Sequence, residues 1–270
     1  MTDRRGTFRS LRHRNYRLYF IGQMVSLIGS WMQTTALTWL AFDLTGESKW
    51  PAFIAVAQIG PTFLFGTAGG WLADHVPKRP LVLGTQVGYL LVASLLAAVV
   101  LAGVATPLLI LLIMLVHGFI QAIDLPARLV LVSKLVPRED LINAVAMNSL
   151  LFNAARLIGP AIAGVLLLAV GPGACILCNA VSYGAVLWAL RRIDFPSERE
   201  LIGRPRSSPW GGFAELRRQP QLALLIGLAA SLSLCGWPLL TLLPAYAVAA
   251  LGSDEGVYSV LLSAVGAGAG

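Results

Sequence analysis

PLVLGTQVGYLLVASLLAAVVLAGVATPLLILLIMLVHGFIQAI, residues 80–123, contains no Asp, Glu, Lys or Arg. A helix that crosses about 30 Å of hydrocarbon needs roughly 20 mostly apolar residues, so this run holds two crossings. They part at Gly103-Val104-Ala105-Thr106-Pro107, a turn too short to hold structure of its own. Uncharged runs recur on both sides, at 18–42, 50–73, 141–155, 157–190 and 221–253. The chain of 270 residues is 57% hydrophobic and 12% charged, where a soluble domain carries about 25% charged residues. The sequence therefore predicts an all-α polytopic membrane protein. Its spans are expected at 16–42, 50–73, 80–102, 107–125, 141–169, 174–190 and 221–249, with a last one from near 256.

The basic residues lie on alternate connections. Arg4, Arg5, Arg9, Arg12, Arg14 and Arg17 precede the first span, Lys78 and Arg79 follow the second, and Arg128, Lys134 and Arg138 follow the fourth. Arg191, Arg192, Arg199, Arg204, Arg206, Arg217 and Arg218 follow the sixth, while the opposite side holds Lys49 alone. Basic residues concentrate on cytoplasmic loops, which places the amino terminus in the cytoplasm and the protein in the cell (inner) membrane. The outer connections, with Asp43, Glu47, Asp254 and Glu255, are acidic. The net charge of +7 is thus explained by topology, and no nucleic-acid partner is expected, since such a partner selects one basic soluble face. The first apolar run is too long for a signal peptide and more spans follow it, so it reads as a retained helix. Cys175, Cys178 and Cys235 fall inside spans without a second pair or a nearby His to complete a metal site.

Six spans, a polar connector and a new span suggest a duplicated six-helix unit. Residues 1–190 form the expected N-terminal six-helix bundle, 191–220 a cytoplasmic linker, and 221–270 the start of a C-terminal bundle. In the linker, Ser208-Pro209-Trp210 fits a helix start that lies on the membrane surface or belongs to a structureless loop. The run Ser263 to Gly270 ends inside the eighth helix, from which we expect a truncated piece of a longer protein, whose C-terminal half is then its missing partner.

Between the second and third spans stands Gly70-Trp71-Leu72-Ala73-Asp74-His75-Val76-Pro77-Lys78-Arg79. A Gly that leads by four residues to an Asp, then a short turn and paired basic residues, resembles the loop signature of the major facilitator superfamily. His75 and Pro77 depart from it, where a basic residue and a Gly are usual. The resemblance implies a major facilitator fold with a cytoplasmic latch that holds one of two conformations. Gly70 would permit close helix approach, Asp74 would accept from a neighbouring helix end, and Lys78 and Arg79 would pair with an acid. In the fifth span Ala155, Gly159 and Ala163 recur every four residues, a small-residue packing face. Together with Arg156, Pro160 and Gly164 they resemble the Gly-Pro motif of superfamily exporters with antiporter behaviour. Ser26 with Gly29, Leu44-Thr45-Gly46, Pro61, Pro126-Ala127 and Asn143-Ala144 extend the resemblance to the enterobactin-exporter-like, or transmembrane secretion effector, branch. That branch implies proton-driven export of siderophores, macrolides and similar amphipathic compounds.

Polar groups inside spans are costly and mark function by default. Arg156 is expected to face an interhelical cavity, either holding an anionic cargo group or making a buried ion pair. His117, Gln121 and Asp124 share a face of the fourth helix; His117 titrates near neutral pH and is either a coupling group or a packing residue. Asp124 is expected near the cytoplasmic end, paired with Lys78, Arg79 or Arg128 as part of the latch. Gln23, Ser26, Ser30, Gln33, Thr34 and Thr38 make a polar stripe on the first helix, with Gln58 and Thr62 on the second. The stripe lines a water-accessible path among aromatics such as Trp31 and Phe65, or it makes interhelical hydrogen bonds.

The sequence thus predicts a secondary active transporter, not an enzyme, in which a small-molecule substrate is exported by alternating access between two bundles. No cofactor is expected and no nucleotide-binding loop is seen, leaving the proton gradient as energy source. A nutrient importer of the same fold, a membrane-embedded enzyme and a fragment without activity are the alternatives; clustered His, Asp or Glu ligands would mark the enzyme, and His13, His75 and His117 are scattered.

Overall fold

The computed structural model describes residues 8–194, positions 219–221, scattered helical positions between 224 and 247, and residues 255–268. The readings of Ser208-Pro209-Trp210 and of most of the seventh span lie outside the described residues. Those described are helical, without strands. A 3₁₀ turn over Arg9–Arg12 leads into α1 (Arg14–Asp43), followed by α2 (Lys49–His75), α3 (Lys78–Leu101), α4 (Pro107–Leu135), α5 (Leu141–Val170) and α6 (Pro172–Arg192), with α7 at Glu255–Gly268. Helices α2 to α6 are each long and apolar enough to cross a bilayer. Helix α1, which carries the polar stripe, is 30 residues long.

Five of the first six helices run close to the expected spans, but α4 does not stop at 125. It continues through Pro126 to Leu135, so Arg128 and Lys134 lie on the helix and not in a loop. Proline removes one N–H and leaves the carbonyl four residues earlier without its helical partner, which membrane helices tolerate when a neighbour covers the freed group. The freed carbonyl is that of Ala122, and Gly69 of α2 lies against it: a Cβ on Gly69 would stand 2.0 Å from Ala122 O. The reciprocal contact joins the same two helices. Pro61 of α2 frees the Ala57 carbonyl, and a Cβ on Gly118 of α4 would stand 2.5 Å from it. Each helix thus carries an inner proline and sets a glycine against the carbonyl that its partner's proline leaves open. The close approach expected at Gly70 is made one residue earlier, by Gly69; around Gly70 there is open space.

Helix α1 packs between α5 and α6, α6 against α3, α3 against α4, and α4 against α2, while α7 lies on α5. The small-residue face of α5 meets α1: Ala155 and Ala163 are buried, and a Cβ on Gly159 would fall 2.5 Å from Trp31 Cβ. Gly164 faces Ser259 of α7. Two apolar clusters close the bundle at its ends. One gathers Tyr16, Val82, Leu131, Leu135 and Leu190, the other Leu37, Leu40, Leu96, Ile110 and Ile176. The outer faces carry exposed Phe63, Leu64, Val165 and Val181, which suits hydrocarbon as solvent.

Both ends of the six-helix unit lie on one side. Arg14 Nη1 meets Asp194 Oδ2 at 2.6 Å and Asn15 Nδ2 donates to Asp194 O at 2.8 Å, which ties the start of α1 to the end of α6. The turn before α5 joins them: Asp140 pairs with Arg9 and lies 2.7 Å from His13 Nε2, and the Ser10 amide donates to Asn143 Oδ1 at 2.8 Å. Tyr16, fully buried, donates to the Ala144 carbonyl at 2.9 Å.

Candidate functional site: a polar cavity between α1 and α4

Helices α1 and α4 barely touch, and the space between them is a cavity of about 600 Å³. Its α1 wall is the polar stripe: Gln23, Ser26, Ser30, Gln33 and Thr34 line it. The α4 wall presents His117, Gln121 and Arg128, one or two turns apart on one face. Gln86 and Tyr89 of α3 and Asn179 and Tyr183 of α6 also line it, while α5 adds Asn148, Ser149, Phe152 and Asn153. Gln58 lies on its α2 edge and also borders a smaller pocket with Thr38 and Tyr258.

Beside lining the cavity, the stripe makes hydrogen bonds to a neighbouring helix. Asn179 Nδ2 donates to Gln33 Oε1 at 2.8 Å, and Ser30 lies between Asn179 and Tyr183, 3.4 Å from each. These bonds fasten α1 to α6. The hydroxyls of Ser30, Thr34 and Thr38 also donate to carbonyls one turn back, as hydroxyl side chains do within helices. Other polar atoms on the wall, Gln23 Nε2, His117 Nδ1 and Gln121 Oε1, have no protein hydrogen-bond partner.

Below His117 lies a charged pair. Asp124 Oδ2 is 2.6 Å from Arg128 Nε, and its side chain is fully buried. Asp124 Oδ1 receives Gln86 Nε2 at 3.0 Å and has the Thr85 hydroxyl at 2.6 Å; that hydroxyl also lies 2.9 Å from the Val82 carbonyl. Arg128 Nη1 donates to Gln23 Oε1 at 3.3 Å. This network joins α1, α3 and α4 through two charges, the arrangement that makes buried charge tolerable.

The six residues expected in the latch fall into two groups. Asp124 pairs with Arg128, one of the three partners expected, and both belong to the cavity region. Gly70, Asp74, Lys78 and Arg79 lie at the α2–α3 turn, where Lys78 is buried and donates to the Val76 carbonyl at 3.2 Å. Thr85 follows Lys78 by two turns of α3, about 10 Å along the axis. In the departing signature position, His75 Nδ1 donates to the Trp71 carbonyl at 2.8 Å and its ring lies against Trp71.

Four expected cavity groups stand elsewhere, Thr38 among them, on the smaller pocket. Arg156 is not on the wall: its guanidinium lies over the Trp31 ring, 5.8 Å from the centroid, and Trp31 is what reaches the cavity. Thr62 has its hydroxyl buried without a hydrogen bond. Phe65 is half-exposed and packs on Phe119. The sequence reading missed Thr85, Gln86, Tyr89, Asn179 and Tyr183. Gln86 and Asn179 were visible as amides within apolar helices, but isolated amides carry no period, and only the packing of α3 and α6 against α1 and α4 brings them to one place.

The comparisons agree with this architecture. The sequence profile of the transmembrane secretion effector family matches residues 5–270. The chain is similar to a staphyloferrin A transporter of Staphylococcus aureus, 24% identical over 168 residues, which are 62% of this chain and 42% of that protein. It is similar to an enterobactin exporter of Shigella flexneri, 28% identical over 233 residues, 81% of this chain and 54% of that one. An uncharacterized transporter of the same superfamily from Bacillus subtilis is 25% identical over 177 residues, 64% of this chain and 41% of that protein. The chain spans about half the length of the curated relatives it matches, or less. With its bundle of apolar helices and a profile match over nearly all its length, the chain belongs to the transmembrane secretion effector family of the major facilitator superfamily.

Proposed function

We propose that this chain forms the N-terminal half, and the beginning of the C-terminal half, of a secondary transporter that exports small amphipathic molecules. Proton entry drives the export, and the two halves rock about a cargo site near the middle of the membrane. The observation that carries the reading is the cavity of about 600 Å³. Its size suits a small molecule, and its mix of amides, hydroxyls and aromatic rings suits a cargo with polar and apolar parts. The relatives bear on cargo and direction by their names alone, one a staphyloferrin A transporter and one an enterobactin exporter. A siderophore or drug-like molecule is accordingly the class we propose. The amino terminus and the end of α6 lie on the cytoplasmic face, where the basic residues gather. His117, the imidazole on the cavity wall, is the group we assign to proton coupling.

Collapsing the proton gradient with a protonophore tests the reading. Cells carrying the complete gene should then accumulate siderophore or amphipathic dye, and His117→Asn should reduce the exchange of dye for protons in everted vesicles. Import is the rival, and a fall in intracellular cargo after collapse would establish it instead.

A further inference from the structure

Among the described residues that line the cavity, Arg128 alone carries a fixed charge. Its counter-ion is set behind it: the Asp124 side chain is 0% exposed and that of Arg128 23%. A cargo in the cavity therefore meets a cation and does not meet the anion that balances it.

The hold on Arg128 is incomplete. Its Nε lies 2.6 Å from Asp124 Oδ2, yet neither atom makes an aligned hydrogen bond. Nη1 has Gln23 Oε1 at 3.3 Å, a long contact, and the neutral Tyr19 hydroxyl is a further partner of the guanidinium. A guanidinium offers five donors in a planar fork, which carboxylates and similar oxyanions engage in pairs. Asp124, one turn back on the same helix, engages one edge of the fork in charge contact only. Asp124 depends less on Arg128 than the reverse, because Oδ1 has neutral partners in Gln86 and Thr85 whatever the guanidinium does. Other groups facing the pair are Tyr19 from α1, Tyr89 from α3, Tyr183 from α6 and His117 from α4, and none of them is an anion at neutral pH.

We propose that Arg128 is the specificity-determining residue of the cavity, anchoring a carboxylate or other oxyanion of the cargo, with Asp124 as the resident counter-ion that this group displaces. The aromatic rings of Tyr19, Trp31 and Tyr89 line the same cavity and would take the apolar part of an amphipathic anion. The inference rests on the reading of the cavity as the cargo path, and it adds the sign of the cargo's charge.

Three probes of one shape separate the possibilities: naphthoate, naphthylmethanol and naphthylmethylammonium, bound at equilibrium to the protein from its complete gene in nanodiscs of neutral lipid. Naphthoate should bind at least tenfold more tightly than the alcohol, and the ammonium more weakly than either. Arg128→Gln should abolish the preference for naphthoate while leaving the alcohol within a few-fold, and Arg128→Lys should restore part of it. Asp124→Asn should bind naphthoate as tightly as the parent or more so, because the competing carboxylate is gone. If Arg128→Gln does not fold, the Asp124→Asn/Arg128→Gln double variant, which leaves no unpaired charge, gives the same comparison. A parent protein without preference for the anion, or a preference that survives loss of Arg128, overturns the proposal while the cavity reading stands. Failure of all three probes to bind overturns both.

Discussion

Gly69→Ala should separate packing from helix propensity in one experiment. The added Cβ would stand 2.0 Å from Ala122 O and 2.8 Å from Ala122 C, where ordinary contacts begin near 3.4 Å. Both are backbone atoms of α4, so no side-chain rotation relieves the overlap. The helices must part by about 1.4 Å at this point. A gap of ~0.5–1 Å already forfeits a quarter to a half of each van der Waals contact, and overpacking of this kind costs about 1–3 kcal/mol. Opposing that, Ala is favoured over Gly within a helix by about 0.5–1 kcal/mol. Gly70→Ala and Gly84→Ala measure that gain alone, since nothing stands within 4 Å of either. Thermal unfolding of the purified protein in detergent should therefore show Gly70→Ala and Gly84→Ala neutral or stabilised and Gly69→Ala destabilised. The gap between them is the packing cost. Equal midpoints for Gly69→Ala and Gly70→Ala would refute the close approach of α2 to the carbonyl that Pro126 frees.

Gly118→Ala should destabilise in the same assay, since its Cβ would meet Ala57 O at 2.5 Å and Gln58 O at 2.8 Å. Asn179→Ala should cost about 1–3 kcal/mol by leaving the buried Gln33 amide without its partner, and Gln33→Ala added to it should cost little more, which a double-mutant cycle would read. In a background without native cysteines, Thr45→Cys should react with impermeant maleimide on intact cells and Glu139→Cys only after permeabilisation; the reverse pattern would overturn the proposed orientation. Asp140→Asn should loosen the segment that holds Arg9 and His13 to the turn before α5, seen as faster proteolysis ahead of α1 with α2 to α6 intact.

Hydropathy alone determined that this protein is a set of membrane helices, because lipid admits a long uncharged run only as a span with its backbone bonds made within it. It also determined where five of the first six helices run, and the basic residues assigned those helices a proposed orientation. The stripe on α1 and the small face of α5 were legible as well, since helical period fixes which residues of one helix share a side. Period within a helix says nothing of which helix stands opposite. Gly69, one residue from the glycine of the signature, became the contact point because α4 continues past Pro126 and turns an open carbonyl toward it. Arg156 came to rest on Trp31, and Arg128 reached the cavity with Asp124 behind it. These placements depend on the rotation and spacing of helices far apart in the chain, and only their packing decides them.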